Sequence, residues 1–361
     1  MQGLNEKNMQ AVVNTYNLND FYYPTLFPMK EQNSLDWKAL ETVAGMHLAG
    51  DVVSRGSSIV SKSREALTSL KGDIPKIAAK RIMNENELNE YRIALALSNG
   101  NADQRRLVEA WAEDTNFVWN GVASRLEWIA LQQISRGVVT FTAENNVGVV
   151  SEYNLDYQLG NQRRGYQTGS AAWSDRVNAK PVTKDLRNMV MLARASYNYP
   201  KFAFMNEMTF AKFVDTEEVQ KMCASVYANL AGTVFTPSLE QVNNMLKSQA
   251  YLYGLQIVII EQEITVELED GSRATSNPFV NDSVLLSETK TLGNTFWMRP
   301  VDMDSIGSVA VKVMNGHTCI KKFANEEPLQ ELTIGVANAI PAWSASQRSW
   351  LIDVEHDTFT L

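Results

Sequence analysis

Val108, Trp111, Thr115, Val118, Val122, Leu126 and Ile129 fall on one helical stripe across residues 101–137. Asn101 reads as an N-cap with Gln104 three residues on, and Gly137 as the residue that ends the last turn. Arg136 beside it favours the negative end of the helix dipole. A single helix of that length would span roughly 50 Å. That suits either a long core helix or the backbone spine of a flat, elongated subunit. Gly121 lies inside it at a cost of about 1 kcal/mol relative to Ala, marking a bend or a close crossing. A shorter helix is expected at 85–97, with Asn84 and Glu87 in cap positions.

After Gly137 the pattern changes to period two. Val139 and Phe141, then Val147 and Val149, flank a turn at 144–146. A polar, irregular stretch follows over 158–180. Pro181 opens a helix to about Ser196, PKFAFM is a short strand, and Asn206 caps the next helix. Ser238 and Gln241 form a capping box. LQIVIIE is the strongest strand, ITVELEDGSRATS a hairpin turning at Asp270-Gly271, and the last 45 residues read as short strands ending in SWLIDVE. The class is α+β.

The N-terminal stretches are less regular. Within 1–45, Pro24 and Pro28 discourage helix in DFYYPTLFP. Phe21, Tyr22, Tyr23 and Phe27 are its anchors, set either against another surface or in a buried strand. Residues 46–82 are rich in Ser and Gly and fit a two-stranded excursion turning near 63–72.

Charge sharpens this picture. The chain has 361 residues, 45% hydrophobic, with a net charge of −8. Residues 50–81 carry +4 and the remainder −12. The balance argues against a general nucleic-acid clamp. Arg55, Lys62, Arg64, Lys71 and Lys76 are candidates for an arm that reaches an acidic partner surface; the plainer alternative is a solvated loop. Glu261, Glu263, Glu267, Glu269 and Asp270 make an acidic hairpin, a solvated face or the partner of that arm.

Motifs for chemistry are scarce. No phosphate-binding loop, dinucleotide fingerprint, nucleophile elbow or zinc spacing occurs, so no cofactor or metal is expected. Cys223 and Cys319 are far apart and expected to be unpaired. His317 and Cys319 would share a face if 318–323 form a strand, an enzyme-like alternative with no third orienting group. The polar first residues and the short apolar run at 255–260 lead to the expectation of a protein without leader or membrane span, cytosolic when made.

A set of short motifs resembles one family. They are Arg55-Gly56, Glu127-Trp128 nine residues before Gly137, Trp173-Ser174 followed by Pro181 and Asp185, Leu292-Gly293-Asn294-Thr295, and Pro341. Together they resemble the major capsid proteins of tailed bacteriophages, specifically the lambda-type capsid protein E family with its Hong Kong 97-type fold. The resemblance implies an N-terminal arm (1–45), an extended loop (46–82), spine helices and a peripheral sheet (83–180), an axial domain (181–325) and return strands to the peripheral domain (326–361). It implies hexamers and pentamers in an icosahedral head shell around double-stranded DNA, in a virion assembled in the host cytoplasm. It also implies portal and decoration partners. The lack of a long charged helix before the arm suggests a separate scaffolding protein. A protein compartment of encapsulin type is the alternative on the same fold.

Overall fold

The computed structural model describes residues 6–42, 67–97, 102, 109, 113–142, 145–146, 154–226, 236–268, 270–304 and 311–357. The chain opens with α1 (Glu6–Val13) and a single turn, α2 (Tyr23–Leu26). Pro24 lies in the first turn of α2, where a missing N–H costs no helical bond; this is why the proline does not exclude helix there. Strand β1 (Met29–Glu31) follows, then β2 (Asp36–Thr42) and β3 (Leu67–Asp73), β4 (Lys76–Asn84) and α3 (Glu85–Leu97).

The spine is α4 (Asp114–Arg136). It starts later than the apolar stripe suggests. Glu113 leaves helical geometry (φ −78°, ψ 66°), and the expected cap Asn101 lies outside the described residues. Asp114 sets the start: its carboxylate, 2% exposed, sits at the positive end of the dipole and pairs with Arg81 at 3.2 Å. The far end is as expected. Gly137 adopts φ 79°, and its N–H reaches the Gln133 carbonyl.

Strands β5 (Val138–Thr140) and β6 (Asn154–Asp156) pair antiparallel. Among the described residues 138–140 pair with 154–156; Val147 and Val149, expected beyond the turn, lie outside the described residues. Next come β7 (Arg164–Tyr166), a π-turn at Pro181–Leu186, α5 (Arg187–Ala195), β8 (Phe202–Met205), α6 (Glu207–Asp215), α7 (Glu217–Val226), α8 (Leu239–Ser248) and β9 (Gln256–Ile259). The hairpin β10 (Ile264–Glu267) and β11 (Arg273–Ser276) turns at Gly271 (φ 79°). The chain ends with β12 (Ser283–Ser287), β13 (Asn294–Met298), β14 (Val311–Asn315), β15 (Thr318–Glu326), β16 (Leu329–Ala342) and β17 (Trp350–Asp353).

Two sheets organise these elements. The larger has order β1-β13-β16-β15-β14, with β4 on the other flank of β16. Strand β16 runs for 14 residues, so the C-terminal region is built on one long strand rather than short ones. Such length persists because β16 is paired on both edges, by β15 and β13 along one and by β4 along the other. The spine crosses this sheet closely. A Cβ on Gly335 would lie 2.8 Å from the Val118 carbonyl oxygen, and one on Gly121 would lie 2.9 Å from the Ala79 Cβ. Gly121 therefore marks a crossing.

The smaller sheet has order β7-β17-β12-β8-β9 and packs with α5 to α8 around Trp173, Phe213, Met245 and Trp350. Sheet membership divides the chain differently from the boundaries expected at 180/181 and 325/326. Strands β13, β14 and β15 join the spine's sheet, whereas β7 and β17 join the smaller one. A cut at 325/326 would sever the β15–β16 hairpin, whose register runs from Thr318↔Ala337 to Glu326↔Leu329. Strand pairing over such sequence distances leaves no local trace.

The two-stranded excursion is real but displaced. β2 and β3 form a seven-pair ribbon, and among the described strands neither pairs with any other. It starts at 36 rather than 46, and 67–73, expected to hold the turn, is its returning strand. The root is set by Trp37, 2% exposed and stacked on Phe296 with ring centres 5.7 Å apart. Gly72 leaves room for that indole: a Cβ there would meet Trp37 Nε1 at 2.9 Å.

Candidate assembly surfaces

Two of the motifs, Glu127-Trp128 and Leu292–Thr295, meet at one junction, where the N-terminal segment crosses the spine. Glu127 is fully buried in α4, and its carboxylate accepts the backbone N–H groups of Tyr22 (3.0 Å) and Tyr23 (2.7 Å). Burial raises its pKa to about 7, while the two backbone donors pull it down. Tyr23 and Phe27 are wholly buried in the main core, with Phe21 and Tyr22 packed against it. The four aromatics anchor the segment to the body of its own chain. Trp128, 8% exposed, lies against Phe141 and under the Arg125 guanidinium.

Leu292-Gly293-Asn294-Thr295 grips the same segment from the other side. The Leu292 N–H donates to the Leu26 carbonyl, and the Thr295 N–H and hydroxyl donate to the carbonyls of Pro28 and Phe27. Asn294 starts β13 opposite Ala342. Gly293 is required by contact: a Cβ would lie 1.9 Å from the Ala342 carbonyl oxygen. The motif therefore ties residues 26–31 to the β13–β16 pair.

The third motif lies in the smaller unit. The Trp173 indole donates to Asp185 Oδ2 at 2.9 Å, and burial raises the Asp185 pKa to about 6. The Ser174 hydroxyl donates to Glu355. Pro181 opens the π-turn, whose Val182 and Thr183 N–H groups are accepted by Glu218, 8% exposed. Glu218 escapes sequence reasoning because its partners stand 35 and 36 residues away.

The basic candidates separate. Lys71 is exposed on β3, directly opposite Lys38. Lys76 belongs to β4, where it and Lys321 hold Asp302 from two sides at 2.9 and 2.6 Å and depress its pKa to about 2. Lys76 is thus engaged within its own chain. Arg55, Lys62 and Arg64 lie outside the described residues.

His317 and Cys319 do not make a nucleophile. Cys319 lies in the buried part of β15, and burial pushes its thiol up to about 11, the reverse of activation. His317, 2% exposed, precedes the strand, and burial lowers its pKa to about 4. Cys223 is also a buried free thiol raised to about 11. Among the described residues, no group of three or more His, Cys, Asp or Glu side chains could hold a metal ion.

Among the described residues, two elements keep faces open. Besides the β2–β3 ribbon, α3 buries none of its residues; Ile93 and Leu97 are 59% and 78% exposed. A family model described as phage major capsid protein E matches residues 9–343. The chain belongs to that family.

Solved structures agree on the fold. A putative capsid protein of a prophage of E. coli CFT073 superposes with a TM-score of 0.56 at 13% identity, covering 98% of this chain and 100% of that one. A phage-related protein from Bordetella bronchiseptica RB50 gives 0.53 at 13% identity, covering 96% of each chain. The cyanophage A-1(L) capsid gives 0.50 at 10% identity, covering 94% of each. No curated protein matches the chain. The fold is of Hong Kong 97 type, and the protein is a phage major capsid protein, which forms the head shell of the virion.

Proposed function

We propose that this capsid protein works purely as a structural subunit. It forms hexamers and pentamers of an icosahedral shell that encloses double-stranded DNA without reading its sequence. The β2–β3 ribbon carries this reading. Seven strand pairs with no third strand among the described residues make a marginal structure in water. Two of those pairs, Asp36↔Asp73 and Lys38↔Lys71, set like charges opposite each other, which is unfavourable within an isolated ribbon. Laid across the spine or large sheet of a neighbouring copy, the ribbon gains apolar contact and complementary charge. The spine with its large sheet then serves as the peripheral domain, and the smaller sheet with α5 to α8 serves as the axial domain near the symmetry axes.

Assembly in the host cytoplasm with a separate scaffolding protein, around a portal and with an external decoration protein, completes the proposal. Negative-stain microscopy of the concentrated protein tests it. Closed shells built of pentamers and hexamers support the reading; a dispersed monomer by light scattering at the same concentration overturns it. Shells of correct size from the protein expressed alone would remove the separate scaffold.

A further inference from the structure

The smaller sheet presents two charged surfaces at its opposite ends. At one end, the start of β8, the start of β9 and the end of β12 surround a hollow of about 300 Å³ lined by Arg194, Tyr199, Lys201, Tyr253 and Glu288. The Arg194 guanidinium lies 3.6 Å from the Tyr253 ring centre and 4.7 Å from that of Tyr199. About two turns earlier on the same helix face, Arg187 lies over Tyr251 at 5.3 Å. These guanidiniums are held flat on aromatic faces, so ordering them against a partner costs little further side-chain entropy.

The backbone is strained at the same place. Tyr253 (φ 52°) and Tyr197 (φ 60°) both adopt the left-handed region that large residues avoid, and both stay exposed, at 55% and 48%. Each ends a helical turn, Tyr197 after α5 and Tyr253 after 250–252, and each leaves its ring on the surface. Met191 and Leu192 beside them are 53% and 52% exposed.

The other end carries the opposite sign. β9 runs out into the β10–β11 hairpin, which returns into the start of β12. Residues 261–276 hold five carboxylates against one arginine. Glu263, Glu267 and Asp270 are exposed, as are all four residues of β11. Because β8 and β9 run parallel and β12 antiparallel to β8, the tyrosine–arginine surface and the hairpin leave the sheet from opposite ends. Complementary surfaces at opposite ends of one sheet can meet head to tail between copies, and such contacts make a ring where the rotation between copies closes.

We propose that the Arg187–Arg194–Tyr253 surface of one subunit receives the acidic hairpin 261–276 of the next around a capsomer ring. This rests on the shell reading above and names one of its contacts. The aromatic and arginine anchors supply the buried centre of the interface, and the carboxylates supply steering and register.

A charge swap tests it. Arg187→Glu with Arg194→Glu, and separately Glu263→Lys with Glu267→Lys, should each lower the yield of capsomers and shells by about tenfold or more, because like charges then face each other. The four substitutions together should restore at least half of the wild-type yield. Arg187→Glu with Lys201→Glu leaves the Arg194 stack intact and serves as the basic-side pair if the first does not fold by circular dichroism. Either pair assembling like wild type, or a fourfold variant no better than the pairs, overturns this contact while wild-type shells uphold the shell reading. Wild-type protein that forms no shells overturns both.

Discussion

Burial drives a proton onto Glu127, two backbone N–H donors pull it off, and the carboxyl ends near pH 7. The sign of the consequence follows from linkage. The folded pKa is raised above the ordinary 4.5, so the folded state holds this proton more tightly than the unfolded chain. The group's contribution to stability is therefore fully present below about 4.5 and is lost as pH rises through about 7. Its size is at most about 3 kcal/mol. Glu127→Gln removes that titration and keeps an amide oxygen for one of the two N–H groups. The variant should gain on wild type by denaturant unfolding between pH 5 and pH 8. Glu127→Ala leaves both donors buried without an acceptor and should cost about 1–3 kcal/mol at pH 7. A constant difference between wild type and Gln across that pH range would show that Glu127 does not titrate there.

At the scale of elements, close backbone approach decides which glycines matter. Gly293→Ala would drive a methyl into the Ala342 carbonyl at 1.9 Å, a backbone clash that no rotamer relieves. Loss of soluble subunit is expected. Gly160→Ala, with nothing within 4 Å and φ −62°, should fold like wild type. Equal soluble yields for the two would show that residues 292–295 are not the rigid clasp described above. The clasp also explains what was legible in the sequence. Caps at Asn84, Asn206 and Ser238 were readable because each joins a residue to another three positions on, and all three form. The acidic hairpin and the Gly137 stop were readable for the same local reason. The ribbon's limits were not, because Trp37 on Phe296 and the 76–84 pairing with β16 reach hundreds of residues away. The motif residues could be named, but Glu127 as the acceptor of residues 22 and 23 could not, since nothing near position 127 shows what crosses it.

For the whole molecule, the +4 of residues 50–81 does not all face outward. Asp302 takes up Lys76, and Asp114 takes up Arg81, so two of the seven basic side chains are committed within the chain. Of the remaining candidates, Lys71 is exposed on β3, and Arg55, Lys62 and Arg64 fall in the sequence between the two strands, outside the described residues. Single exposed ion pairs contribute about 0–1 kcal/mol, so no one lysine should decide assembly. The span of the ribbon, 36–73, holds five basic and five acidic side chains, so what would steer encounter is the local cluster of Lys62, Arg64 and Lys71 rather than a net charge, with a field that fades over about 8 Å at physiological salt. Reversing Lys62, Arg64 and Lys71 together to Glu should block shell formation while leaving soluble, folded subunits. Wild-type assembly, followed by light scattering, should slow as salt rises. The paired substitutions Lys76→Gln and Arg81→Gln should lower the unfolding midpoint and leave the salt dependence of assembly unchanged, because those side chains act within the subunit. If the triple reversal assembles at the wild-type rate at every salt concentration, the ribbon does not reach a neighbouring subunit through these charges.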